Sequence, residues 1–387
     1  MSRNAALSAL CASNAAWESA TRRIAGSTMR RTFSSTARRD ASIAHFTPTS
    51  SPELDKLLDT IRHKIILPAY LPTDQRKKMF SPKYEKKLQS DPIIIEIDGE
   101  VFKFRYQNPF TDIPQTRRCI VAAISRFEAP EDFANLRPLV EGVAYARRHF
   151  DPSFYCKILR VLGAKGRVFD VIELARGVAR TGFRLDSSEK VNEVMHWVQM
   201  KAVDAAWDPA ETAQALRWAE IVLELLQEEA HQPKRHKNEH PLEGELPLHR
   251  DPMVLLAPLH LAAALVWKQG AEAAGEAAVE KLVKHARDIV RLWPEGRELS
   301  KVQPQALYEE YDKMGYLNEP NKFVVVSAPL LRGLEIAIEV LEPRNPDLAA
   351  QLRSRRDLLA SEVERSLQAG KGTRGKAVYE KLYNNAA

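Results

Sequence analysis

Two short motifs carry residue types able to do chemistry. His236-Lys237-Asn238-Glu239-His240 has the H-x-x-E-H spacing that, on a helix, sets two imidazoles and a carboxylate around one zinc ion. Pro233 and Pro241 bracket it in a charged, polar stretch, where no helix would turn both rings to one metal. Gly370-Lys371-Gly372-Thr373-Arg374-Gly375-Lys376 approaches the G-x-x-x-x-G-K loop that cradles phosphates. It fails at Ala377, where a hydroxyl should hold magnesium, and a helical pattern precedes it where a strand should. There is no G-x-S-x-G, no cysteine–histidine nucleophile context and no glycine-rich turn after a strand. The expectation is a non-catalytic protein with no cofactor and no metal.

The remaining chemistry is charge. Residues 73–88 hold six bases against two acids, with Met79, Phe80 and Tyr84 interleaved. Cations beside aromatic rings suit a phosphate backbone and stacking bases. A solvated helix face has the same composition. The candidate RNA contacts here are Arg76, Lys77, Lys78, Lys83, Lys86 and Lys87. Residues 351–387 hold eight bases against four acids, and their glycine-flexible tail adds Lys371, Arg374 and Lys376. Each would act through phosphate charge, not base identity.

The net charge of +6 has a different origin. Residues 1–39 contain Arg3, Arg22, Arg23, Arg30, Arg31, Arg38 and Arg39 against the single acid Glu18. Taking these seven bases from 57 and this one acid from 51 leaves fifty of each. The segment is rich in Ala, Ser and Arg and has no Lys, the profile of a mitochondrial transit peptide. Arg31-Thr32-Phe33-Ser34-Ser35 resembles the cleavage signal of fungal matrix proteins, which puts the mature start near Ser34. The expected compartment is the mitochondrial matrix. Cys119 and Cys156 remain after cleavage, with no CxxC pair, so a disulfide framework is excluded. No uninterrupted apolar run is long enough to span a bilayer, which argues against an integral membrane segment.

Which elements position these residues? After a transit peptide at 1–33, residues 34–50 read as a linker. Ser51-Pro52-Glu53 starts a helix whose Leu54, Leu57, Leu58, Ile61 and Ile65 repeat until Pro68. IIIEI, Asp98-Gly99 and EVFKFRY read as a β-hairpin with a type I′ turn, pairing Ile95 with Phe102 and Ile93 with Phe104. Glu96 and Lys103 fall on the opposite face. The N-terminal unit is 51–110. Helices then start near Pro114, Glu131, Ser153, Val168, Ser187, Pro209, Pro252, Ala271, Gln303, Pro329 and Asp347. Paired helices with short turns over 111–350 predict a mainly α fold, an α-solenoid of stacked pairs with one N-terminal hairpin. A Pro- and His-rich mobile insertion at 231–250 interrupts it. A C-terminal helix and basic tail fill 351–387.

Residues 153–186 place Tyr155, Ile158, Leu159 and Leu162 on one stripe and Val168, Val171, Ile172, Ala175 and Ala179 on a second, with a break at Lys165-Gly166-Arg167 and an end at Gly182. This unit resembles a pentatricopeptide (PPR) repeat, through Tyr155, Gly166-Arg167-Val168, Glu173-Leu174, Gly182 and Asp186. The resemblance carries the two base-reading positions onto Cys156 and Asp186, where a thiol stands in place of the usual Asn, Thr or Ser. One repeat cannot specify an RNA sequence. The charge also reverses, from +4 over 151–185 to −7 over 186–230. The chain is similar to fungal small-subunit mitoribosomal proteins with a PPR-like solenoid. That implies small-subunit rRNA and neighbouring mitoribosomal proteins as partners. A free PPR-type factor acting on mitochondrial mRNA, and an adaptor for a respiratory complex, are the competing readings.

Overall fold

The computed structural model describes residues 43–148, 150–235 and 240–383. The transit peptide and the start of the linker lie outside the described residues.

Helix α1 (Pro52–Ile61) has proline, Glu53 and Asp55 in its first turn, which suits the positive helix end. Its stripe of Leu54, Leu58 and Ile61 is buried. The helical path does not stop at Pro68. It continues as a π-turn over Arg62–Ile66 and a 3-10 turn over Leu67–Tyr70. Pro68 sits in the first turn of the latter, where its missing N–H leaves no bond unmade. Helices α2 (Thr73–Met79) and α3 (Glu85–Ser90) follow.

Strands β1 (Ile93–Ile97) and β2 (Glu100–Phe104) form the expected hairpin, with Ile95 opposite Phe102 and Ile93 opposite Phe104. Asp98 and Gly99 have φ of 52° and 82°, the left-handed pair that a type I′ turn needs. A lone hairpin needs a cover. Here it is internal: Phe102 and Phe104 pack on Leu67, Leu71, Met79 and Ile43. Ile43 also donates its N–H to Asp98 at 2.9 Å. The described part of the linker is therefore pinned. Ser50 gives its N–H and hydroxyl to Asp132, each at 2.8 Å. Burial alone would raise the Asp132 carboxyl, but this pair and the N–H groups of Glu128 and Ala129 hold it at about 2.

The helical body comprises α4 (Thr116–Arg126), α5 (Pro130–Ala134), α6 (Leu136–Tyr145), α7 (Pro152–Ala164), α8 (Val168–Arg176), α9 (Val178–Thr181), α10 (Ser188–Asp204), α11 (Pro209–Leu225), α12 (Pro252–Gln269), α13 (Ala271–Ala274), α14 (Glu276–Leu292), α15 (Ala306–Glu309), α16 (Pro320–Leu341), α17 (Pro346–Ala369) and α18 (Thr373–Tyr383). The chain is mostly helical, with one two-stranded antiparallel sheet among the described residues. Helix α7 packs on α4 and α10, α10 on α12, and α12 on α16. On the other side α8 packs on α11, and α14 on α17.

Within 153–186 the turn is as expected. Gly166 has φ of 72°, and Arg167 donates its N–H to the Leu162 carbonyl at 2.9 Å, closing α7. Gly182, at φ 65°, closes α9. Ala179 departs from the second stripe and is exposed, because the helix breaks at Gly177.

One further expectation is corrected. Pro329 does not start a helix; it lies inside α16, which starts at Pro320. A proline there robs the carbonyl four residues earlier of its donor. That carbonyl belongs to Val325, and the ring of His196 on α10 lies beside it. One helix, α12, is long and apolar enough to cross a membrane. It is apolar on all sides because α10, α11, α14 and α16 enclose it, and 78% of it is buried.

Two neutral histidines lie at this centre. His260 Nδ1 is 2.9 Å from Gln199 Oε1. Burial, with Arg374 near one and Arg332 near the other, pushes both His196 and His260 down to about 3. Unfolded imidazoles titrate near 6.5, so below that pH the unfolded chain binds protons that the native one refuses. Stability is expected to be full above about pH 6.5 and to fall continuously toward pH 3. Melting curves between roughly pH 7 and pH 5 test this. A His260→Gln variant should show a shallower fall, and an unchanged slope would refute the assignment.

Candidate nucleic-acid interface

Two buried anchors orient the basic segment, one within it and one at its end. Met79 and Leu88 are turned into the fold, while Lys77, Lys78, Lys83, Lys86 and Lys87 are exposed and Arg76 is half-buried. Phe80 and Tyr84 are half-buried between them. None of the six cations forms an ion pair among the described residues. Elsewhere several exposed arginines of the helical body are bound to carboxylates, as in Arg137–Glu141 at 2.9 Å and Arg291–Asp288 at 3.0 Å. Unpaired cations on a short, anchored helical segment can lie along a phosphate chain.

The three C-terminal candidates separate. Lys371 is exposed, without an ion-pair partner among the described residues. Lys376 is exposed and faces Glu380 at 3.7 Å. Arg374 is turned inward. Its guanidinium binds Glu193 on α10, with one contact at 3.3 Å, and lies 5.6 Å from the centre of the Trp197 ring. Trp197 Nε1 donates to the same carboxylate at 3.0 Å. Arg374 thus ties α18 to α10, a use that tail composition could not show. Around it, Gly375 donates its N–H to Asn321 Oδ1 at 2.8 Å, and a Cβ on Gly372 would lie 2.3 Å from the same side chain. Asn321 occupies the place a bound phosphate would need.

The two reader positions are also engaged. Cys156 has 0% exposure, and burial pushes its thiol well up from the ordinary range. A side chain without accessible atoms offers nothing to a base. Asp186 is paired with Lys190 and with Arg184, the latter at 3.4 Å. Cys119 and Cys156 are free thiols. Trp218 stacks on Phe169 at 5.3 Å and Trp207 lies 5.0 Å from His260, whereas Trp267 is exposed and donates to Glu339 at 3.0 Å. In the 231–250 insertion, residues 236–239 lie outside the described residues. Its flanks are held by Arg235–Glu245 and by Leu246 on Gln303 at 2.9 Å.

Sequence reasoning passed over the doublets Arg117-Arg118 and Arg147-Arg148. All four are exposed. The available signal was an arginine pair at a helix start and another just after a helix end.

Residues 31–383 match the family described as Mitochondrial ribosomal protein mS27. The chain belongs to that family. A relative from Neurospora crassa, named Small ribosomal subunit protein mS27, is 37% identical over 364 residues, covering 90% of this chain and 91% of its own. The mS27 match runs from before α1 to the end of α18, so it takes in the basic segment, the hairpin and the Arg374 tie.

Proposed function

We propose that this protein is a structural, non-catalytic component of the small subunit of the mitochondrial ribosome, holding rRNA through α2–α3 and neighbouring proteins through its helical body. Membership of the mS27 family supports the assembly. The six unpaired cations of 76–87 support the RNA contact, joined by Lys371 and Lys376 at the far end of the chain. The helical body is a solenoid of the PPR-like kind. Support comes from the order of packing, in which first helices meet first helices (α7, α10, α12, α16) and second helices meet second helices (α8 with α11, α14 with α17). Contact with RNA is by backbone charge rather than base readout, in keeping with a buried Cys156 and a paired Asp186. The protein works in the mitochondrial matrix, and residues 1–33 direct it there. The family match begins at residue 31, at the end of the arginine-rich leader.

Lys77, Lys78, Lys86 and Lys87 changed together to Glu should leave the melting temperature unchanged. The variant should dissociate from the small subunit at lower salt in sucrose gradients of mitochondrial lysate. Cosedimentation at unchanged salt dependence would make the segment a solvated face. A message-bound pool free of ribosomes would favour the mRNA factor, and RNase-insensitive attachment to a membrane complex would favour the adaptor.

A further inference from the structure

Beside the basic segment, the first turn of α4 and the turn after α6 border a shallow, open cleft. It has adjoining lobes of about 450 and 430 Å³ that share Gln115, Thr116 and Arg148. Each lies within the range of roughly 300–1,000 Å³ typical of small-ligand sites. The first lobe is walled by Phe80, Pro109, Ile113 and Pro114, the second by Arg117, Arg147 and Phe150. Both lobes are mixed: the first sets an aromatic ring and apolar wall beside Arg148, and the second gathers three arginines around Phe150.

The positive field has three sources. Arg147 and Arg148 are exposed, and neither has an ion-pair partner among the described residues. Arg117 is steadied by Asp151 at 2.8 Å and lies 5.8 Å from the rings of Phe150 and Phe154. The first turn of α4 has no capping side chain and no acid, so its free N–H groups add to the field where Thr116 and Arg117 line the cleft. The nearby carboxylates are already occupied. Asp151 also accepts the Phe154 N–H at 2.9 Å, and Asp112 accepts from Asn108 at 2.9 Å and Thr111 at 3.1 Å.

We propose that this cleft takes one unpaired nucleotide of an RNA strand. Its phosphate sits at Arg147, Arg148 and the start of α4, and its base lies against Phe80 and the two prolines. Phe80 directly follows α2, so a strand lying on the lysines of 76–87 reaches the cleft without leaving the surface. A stacked base with no dedicated edge contact is accepted whatever its identity. This inference rests on the reading that the protein binds rRNA, and it names where a strand is gripped rather than merely attracted.

The test uses the full chain and a short fluorescent oligouridylate, followed by anisotropy over a salt series. Arg147→Asn with Arg148→Gln removes both free cations, and asparagine tolerates the φ of 53° that Arg147 adopts. Affinity should fall roughly tenfold, and the log–log salt slope should be shallower by about 1.4, since each single-strand phosphate contact contributes about 0.7. Phe80→Leu should weaken binding with the slope unchanged, and 4-thiouridine in the strand should crosslink to peptides containing Phe80 or Pro114. Full affinity and slope in the arginine variant, with the lysine reversal still abolishing binding, would sink the cleft and leave the rRNA reading standing. Equal affinity for uridine monophosphate and the oligomer would make it a free-nucleotide site and overturn the proposal. Wild-type protein that binds no RNA, alone or in the subunit, would bring down both.

Discussion

Gly333→Ala should lower the melting temperature by about 5 °C or more, through an overpacking cost of about 3 kcal/mol. Helix α16 crosses α12 with so little separation that a Cβ at residue 333 would lie 2.4 Å from the Cβ of His260 and 2.9 Å from its Cα. Contacts that close to a backbone cannot be relieved by a side-chain swing. The His260 ring has no room to retreat, being held by Gln199 at 2.9 Å and faced by Trp207 at 5.0 Å. The helices themselves would have to part, and both are mostly buried. Gly163 makes the equivalent approach between α7 and α10, 2.3 Å from the Trp197 ring. Gly177→Ala is the control, since its nearest neighbour would be 3.5 Å away. Equal melting temperatures for Gly333→Ala and wild type would show that this crossing is not close-packed.

Glu193→Ala is expected to loosen the C-terminus and cost about 2–3 kcal/mol. A broken buried pair typically costs 3–5, reduced here because Arg374 is partly solvated. The Glu193 side chain is 8% exposed and that of Arg374 31%. Removing the carboxylate strands the guanidinium against Trp197 and also leaves Trp197 Nε1 without its acceptor. Limited proteolysis should then cut near α18 well before the rest of the chain. Replacing both partners by methionine should cost less than either single change, as for other buried pairs. Arg374→Ala should reproduce the proteolysis while leaving RNA affinity intact. If instead it reduces RNA binding and leaves α18 protected, Arg374 belongs with the tail lysines.

These two sites also mark where the sequence could be read and where it could not. The hairpin was legible to the residue, because Asp98-Gly99 fixes the turn and strict alternation fixes the faces. Both signals are local. The helix pair 153–181 was legible for the same reason, apart from the break at Gly177. Pro329 was not. A proline normally marks a helix start, and the group beside the carbonyl it frees, His196, is 133 residues away in the chain. Arg374 was misplaced in kind rather than in position. Its neighbours are basic and glycine-rich, but its partner Glu193 is 181 residues earlier. Net charge by segment counts such a residue as free when the fold has neutralised it. The lysines of 76–87 escape that error, since the fold supplies them no carboxylates.

The tie between α18 and α10 has a consequence for how the molecule is made. Arg374 lies beyond the helical body in sequence, yet the carboxylate it binds is 181 residues earlier, on a helix whose first turns are nearly all buried. Met200, Val324 and Ala328 likewise wait for Val378 and Leu382 to cover them. Until α18 docks, Glu193 has only Arg160, at 4.0 Å, as a cationic partner among the described residues, and the apolar seam beside it is uncovered. The centre of the fold is complete only when α18 is in place. Loss of α18 would leave the protein unfinished at its centre rather than merely shortened at its end.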